Sequence, residues 1–138
     1  MILLAIALYV ANPYVIDGDT IVVKDNHVRV LQVNTPEMGQ CYASQARQFT
    51  QDFLARKGKL TLAKDPVLDQ SDQYGRSLRY VFKGKDNLSL ELVRKGYAKP
   101  MFFDGARGKY ADLITKYAGQ AKAKRLGLWS CKGGSNDN

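Results

Sequence analysis

Histidine is almost missing: His27 is the only one in 138 residues. Cysteine is scarce too, with Cys41 and Cys131 far apart and no CxxC. These shortages argue against a structural zinc site. Two readings of the cysteines stay open: one long-range disulfide in an exported protein, or two reduced, incidental thiols. Long apolar runs are absent as well. The longest, residues 1–11, falls short of the roughly 20 residues a membrane span needs. Its length suits the core of a signal peptide, but no basic segment precedes it. We read it as an ordered N-terminal extension, either a signal remnant or the start of a strand over 8–16. There is no internal repeat and no linker, so no second domain is expected. No twelve-residue EF-hand loop occurs, so any cation site must be assembled from separate segments.

Acidic residues are few: 13 Asp and Glu against 21 Lys and Arg, a net charge of +8. The imbalance sits in the second half. Residues 83–138 hold twelve basic and five acidic side chains, a net +7, and residues 1–82 net only +1. A basic half fits a polyanionic partner, nucleic acid or an anionic membrane surface. Apolar content of 45% and charged content of 25% fit a folded domain and exclude a disordered chain.

The patterns that are present give an α+β chain. β-Branched runs at 20–24 and 27–33, joined by Asp25 and Asn26, read as a tight hairpin. Short strands follow at 60–62 and 77–83, with a polar loop over 65–73. Helical periodicity marks 43–57, with Ala46, Phe49, Phe53 and Leu54 on one face and Gly58 after it. A short helix is expected over 88–95, capped by Asn87 or Ser89. The longest helix is expected over 110–125, with Leu113, Tyr117 and Ala121 inward beside Ile114 and Ala118. A small, strongly bent five-stranded barrel with three helices accommodates this order. The domain is taken as 12–131, followed by a polar tail over 132–138.

Chemistry gathers in 16–37. Asp17 and Asp19 flank Gly18 in a turn, and carboxylate oxygens suit a hard cation such as Ca²⁺. Asp19 is the better ligand, with Asp17 in support. Arg29 stands mid-strand between Val28 and Val30, where a planar guanidinium suits a phosphate. Arg76 follows Tyr74 and Gly75 as a second such group. Two arginines and one cation would neutralise a phosphoryl group under in-line displacement. Glu37, after the rigid Pro36, could orient or deprotonate a water. Each motif alone has a bland alternative: an Asp-Gly turn, an outward arginine, a surface glutamate.

Taken together and in order, five pieces resemble the staphylococcal nuclease (thermonuclease) family: DGDT at 17–20, RVLQVNTPE at 29–37, YGR at 74–76, LVRKGYAK at 92–99 and LGLW at 126–129. The resemblance implies a five-stranded OB-type β-barrel with three α-helices. It implies a calcium-dependent endo/exonuclease, hydrolysing DNA and RNA to 3′-phosphorylated products. By position, Asp19 matches the metal carboxylate and Thr35 the residue lending the metal a backbone carbonyl. Glu37 matches the general base, Arg29 and Arg76 the phosphate clamps, and Tyr74 a phosphate-contacting tyrosine. The chain departs from the pattern at Asn34, where the family has a second metal carboxylate. An amide oxygen still coordinates Ca²⁺, but with one charge fewer, so weaker binding or another divalent cation is expected. Gln73 replaces a lysine, the loop after Glu37 is shorter and lacks lysines, and Phe102 and Asp104 stand where tyrosines stack on bases. Phe102 can still stack.

The resemblance also tips the cysteines towards a Cys41–Cys131 disulfide, and so towards a secreted or envelope-associated protein. The expected partner is single-stranded DNA or RNA, with one Ca²⁺, no small-molecule cofactor and a monomeric state. The alternative is a catalytically weak or inactive nucleic-acid-binding module of the same fold. Retention of Asp19, Arg29, Glu37 and Arg76 favours the enzyme; Asn34 is the one argument for decay.

Overall fold

A hairpin at the start of the chain places the acidic turn and Arg29 beside each other. The computed structural model describes residues 12–132; the apolar extension at 1–11 and the tail at 133–138 lie outside them. Strand β1 (Tyr14–Asp17) pairs antiparallel with β2 (Thr20–Val23), which pairs antiparallel with β3 (Asn26–Val30). The β2–β3 turn falls on Lys24 and Asp25, at φ 50° and 65°, one residue before the Asp25-Asn26 pair expected from sequence. Two positive φ angles are what a tight hairpin consistent with strand twist requires. Asn26 therefore opens β3 opposite Val23, and Arg29 lands opposite Thr20.

The expected run through residue 33 breaks at Gln32, which adopts φ 69°. The chain turns there, and β4 (Val33–Asn34) leaves the main sheet to pair with β8 (Lys99–Pro100). β3 instead pairs in parallel with β6 (Ser77–Lys83), aligning Arg29 with Leu78. β5 (Leu60–Ala63) and β7 (Asp86–Asn87) flank β6 on antiparallel registers. The main sheet runs β1-β2-β3-β6-β5, with β7 also on β6. This corrects the five-stranded barrel. The described residues form eight short strands, and the sheet ends on β1 and β5 without closing. The OB-like α+β order of a mixed sheet and three helices stands.

Helix α1 (Ala43–Leu54) stops short of residue 57 and buries Ala43, Ala46, Thr50, Phe53 and Leu54. Thr50 Oγ1 donates to the Gly18 carbonyl at 2.6 Å, pinning the acidic turn to α1. Gly18 has no room for a side chain, since a Cβ there would meet Thr35 Cγ2 at 2.8 Å. Helix α2 (Leu88–Arg94) is capped by Asn87, whose side chain accepts from the Leu90 N–H at 3.2 Å. Helix α3 (Ala111–Ala123) buries Ala111, Ile114, Ala118 and Ala121. Its inner face is rotated from the expected one: Leu113 is exposed and Tyr117 only half-buried. Val28, Val30, Val33, Phe53, Val81, Leu88, Leu92 and Ile114 form the core these elements share. Cys41 and Cys131 are disulfide-bonded, joining the loop before α1 to the end of the described chain.

Candidate active site

Asp19 is buried and multiply bonded. Its Oδ2 accepts the Thr35 N–H at 2.9 Å and lies 3.2 Å from Arg29 Nη2. Its Oδ1 accepts the Thr20 hydroxyl at 3.2 Å. The Asp19 N–H in turn donates to Asp17 Oδ1 at 3.3 Å. Burial, and then the neighbouring Asp19 carboxylate, push the Asp17 carboxyl up to about 6. Two acids this close resist ionising together.

Arg29 is held from three sides. Nη1 donates to the Val30 and Val33 carbonyls at 2.8 Å each, and Nη2 donates to Asn34 Oδ1 at 3.0 Å. The Gln32 turn makes this possible by bringing the Val33 carbonyl and Asn34 back to the guanidinium. Thr35 follows, buried, and its hydroxyl oxygen has no hydrogen-bond partner among the described residues. Asp19, Arg29, Asn34 and Thr35 thus form one contact cluster.

Arg76 is positioned by Asp72, from the polar loop over 65–73. Asp72 Oδ2 accepts Arg76 Nε at 2.7 Å, and its Oδ1 accepts the N–H groups of Tyr74 and Arg76 at 3.0 Å each. Burial favours the protonated Asp72, but these bonds prevail and hold its carboxyl below the usual range. An aspartate three residues before Gly75 and four before Arg76 is an Asx-turn signal that was there to be read. The terminal nitrogens of Arg76 bond to none of the described residues, and its guanidinium stands 5.6 Å from the Tyr74 ring centroid.

One open cavity of about 530 Å³ is lined by Arg29, Arg76 and Tyr74, with Val33, Leu78, Met101 and Phe103 supplying apolar wall. Both proposed clamps and Tyr74 therefore share a space. Gln73 lines it too. Phe102 does not: it packs against the core with the Arg107 guanidinium 4.7 Å above its ring, and Phe103, 65% exposed, takes the cavity wall instead. Asp104 falls in a 3-10 turn, Phe103–Gly105, with φ 53°. Glu37 is exposed, off the cavity wall, in a turn where Gln40 Oε1 accepts its N–H at 2.8 Å. Its carboxylate bonds to no described residue.

A further positioning residue went unnoticed in sequence. Gln32, buried, accepts the Gly108 N–H at 2.9 Å and donates to the Ala106 carbonyl at 3.3 Å, while its own carbonyl takes the Met101 N–H. It brackets the 101–108 segment that forms the apolar wall. A single glutamine in a β-branched run carries no signal of that role.

Comparison with known proteins points to one family. The family model described as staphylococcal nuclease homologue matches residues 27–131. The thermonuclease of Staphylococcus intermedius is 33% identical over 126 residues, 83% of this chain and 72% of that protein. A micrococcal nuclease of Shigella flexneri is 32% identical over 130 residues, 84% and 70% respectively. Endonuclease YncB of Bacillus subtilis is 34% identical over 128 residues, 86% of this chain and 60% of that protein.

Proposed function

The chain belongs to the staphylococcal nuclease family, and from that premise we propose that it is a metal-dependent nuclease hydrolysing DNA and RNA. The observation that carries the reading is the shared cavity of Arg29 and Arg76. Each guanidinium is anchored to protein, Arg76 through Nε by Asp72, and Arg29 through both terminal nitrogens by the Val30 and Val33 carbonyls, Asn34 and Asp19. Such anchoring fixes orientation before substrate arrives, so little reorganisation is needed as charge builds on phosphorus. Tyr74 adds a phenol hydroxyl beside Arg76.

In this reading Glu37 takes the proton of an attacking water. The water oxygen forms a bond to phosphorus in line with the P–O5′ bond that breaks; the departing O5′ takes a proton from solvent, giving a 5′-hydroxyl on one product and a 3′-phosphate on the other. Arg29 and Arg76 bind the equatorial oxygens. The exposed Glu37 is placed by the Pro36 turn and by Gln40 rather than by a contact with the arginines.

The donor set beside Arg29 fits a hard cation. Asp19 carboxylate, Asn34 amide and Thr35 carbonyl are all oxygen donors. A bound Ca²⁺ would supply charge neutralisation at the phosphoryl group. The disulfide supports an oxidising compartment, and hence a secreted or envelope-associated enzyme.

Digestion of single-stranded DNA with Ca²⁺, with EDTA and with Arg76→Ala tests this. Cleavage should require the cation, and Arg76→Ala should lower it by about 10²-fold or more. Binding without cleavage across several divalent cations would instead identify a nucleic-acid-binding module.

A further inference from the structure

We propose that the Cys41–Cys131 disulfide positions Glu37 for turnover, so that the enzyme reaches its full rate only where thiols are oxidised. The proposal rests on the general-base reading of Glu37 and deepens it. Cys41 and Cys131 act as positioning residues and touch no substrate.

Glu37 is placed through its backbone, since its carboxylate bonds to no described residue. Behind it the chain is fixed, with Thr35 and Pro36 buried. Ahead of it the chain runs over the surface. Residues 37–41 are all exposed, and full burial resumes at Ala43, where α1 begins. Within this stretch the Gln40 N–H donates to the Glu37 carbonyl at 2.9 Å, Gln40 Oε1 accepts the Glu37 N–H at 2.8 Å, and Gly39 takes φ 96° between them. These bonds give the turn its shape. Cys41, the next residue, links it covalently to Cys131.

The far end of that link is docked on the core. The Cys131 N–H donates to the Leu128 carbonyl at 3.1 Å, and Leu128 is buried. The Leu128 N–H donates to the Gly96 carbonyl at 2.8 Å. Gly96 and Gly127 pack backbone to backbone, with no room for a Cβ on either. The disulfide therefore ties an exposed turn carrying the base to a segment fixed against the core. Exposed turns open and shift most readily, and a displacement of about 1 Å in a catalytic group costs up to about 10²-fold in rate.

Reduction cuts the tie. Cys41 is exposed, so a dithiol can reach the bond. One thiolate of the dithiol attacks a sulfur and displaces the other as a thiolate; its second thiolate then resolves the mixed disulfide. Two protein thiols result, and the dithiol is oxidised to a disulfide by two electrons. Arg29 and Arg76 keep their anchors, none of which lies in residues 37–41. The loss should thus fall on turnover and spare phosphate binding. A disulfide can also serve stability alone, and the test must separate the two roles.

The test is steady-state cleavage of single-stranded DNA with Ca²⁺, by oxidised protein and by protein reduced with dithiothreitol, at a temperature where circular dichroism shows both folded. Reduction should lower kcat about tenfold or more with KM nearly constant, and reoxidation with oxidised glutathione should restore it. Glu37→Gln should itself lose about 10²-fold or more, and reducing that variant should cause no further fall. Insertion of two glycines between Gln40 and Cys41 keeps the disulfide while slackening the tie. It should lower kcat as reduction does, and it decides the matter if the reduced protein does not stay folded. An unchanged kcat in the folded reduced protein or in the insertion variant overturns the proposal, as does an equal fall on reducing Glu37→Gln. Full turnover in Glu37→Gln would instead remove the general-base reading, and the proposal with it.

Discussion

Arg29 Nη2 stands 3.2 Å from Asp19 Oδ2, so the group suited to phosphate and the group suited to a cation neutralise each other. The same nitrogen also bonds Asn34, the second candidate ligand. A cation bound there would draw on the same oxygens as the arginine.

Arg29→Ala should separate the two roles. Turnover should fall by about 10²-fold or more, because a charge-stabilising donor is lost. Ca²⁺ affinity, measured by calorimetry, should rise, because a competing positive charge is removed from Asp19. Weaker Ca²⁺ binding in the variant would mean that Arg29 organises the carboxylate more than it competes for it.

Acid should unfold the protein partly through Asp65. It is buried, yet Tyr80 Oη donates to it at 2.6 Å, and the Lys109 and Val67 N–H groups donate at 2.8 and 3.0 Å. Burial raises its pKa, the bonds together outweigh that, and the carboxyl lies below its usual range. A depressed folded pKa gives stability that is complete above the unfolded value, about 3.9, and is lost as pH falls through the folded one. Asp72 acts in the same direction. From neutrality to about pH 4.5 Asp65 and Asp72 should leave the melting temperature unchanged, while Asp17, whose carboxyl stands at about 6 without a bound cation, should raise it as pH falls; below that window Asp65 and Asp72 should bring it down. Asp65→Asn should flatten that limb and cost about 1–3 kcal/mol at pH 7. An unaltered acid limb would assign it elsewhere.

How far the sequence carried these conclusions varies with how local the determinant is. The closeness of Asp19 and Arg29 was legible because one folded-back segment holds both and a hairpin sets their spacing; Glu37, in the same segment, stands apart in its own turn. Helix faces were legible to within one position: Ile114 and Ala118 are buried as expected, Leu113 is not. The barrel was not, since Gln32 leaves the β region and diverts Val33 and Asn34 to β8, 65 residues on in sequence from Asn34 to Lys99. The exchange of Phe102 for Phe103 on the cavity wall depends on the 3-10 turn after it, and a run of apolar residues does not announce which one faces out.

Reduction of Cys41–Cys131 should lower stability measurably. The bond closes a loop with a sequence separation of 90. In the chain-entropy model such a closure is worth up to about 4–5 kcal/mol, less any native strain. The Cys41→Ser/Cys131→Ser variant should show a lower urea midpoint and a somewhat steeper slope, because the unlinked unfolded chain exposes more surface. A midpoint equal to that of the oxidised protein would show that the linkage constrains neither state.

Asn34→Asp tests the donor set itself. The substitution adds a charge at a position that touches both Arg29 and, in the proposed reading, the cation. Two effects oppose each other: the new carboxylate attracts the guanidinium more strongly, and it attracts Ca²⁺ more strongly. The divalent ion gains roughly twice as much at equal distance. Arg29 also keeps its bonds to the Val30 and Val33 carbonyls and its contact with Asp19, so it need not move to release the new carboxylate. Ca²⁺ should therefore win. Calorimetry should show affinity tighter by about tenfold, some 1.4 kcal/mol, and half-maximal cleavage should shift to lower Ca²⁺. Unchanged affinity would remove Asn34 from the ligand set and leave Asp19 and the Thr35 carbonyl as the only protein donors.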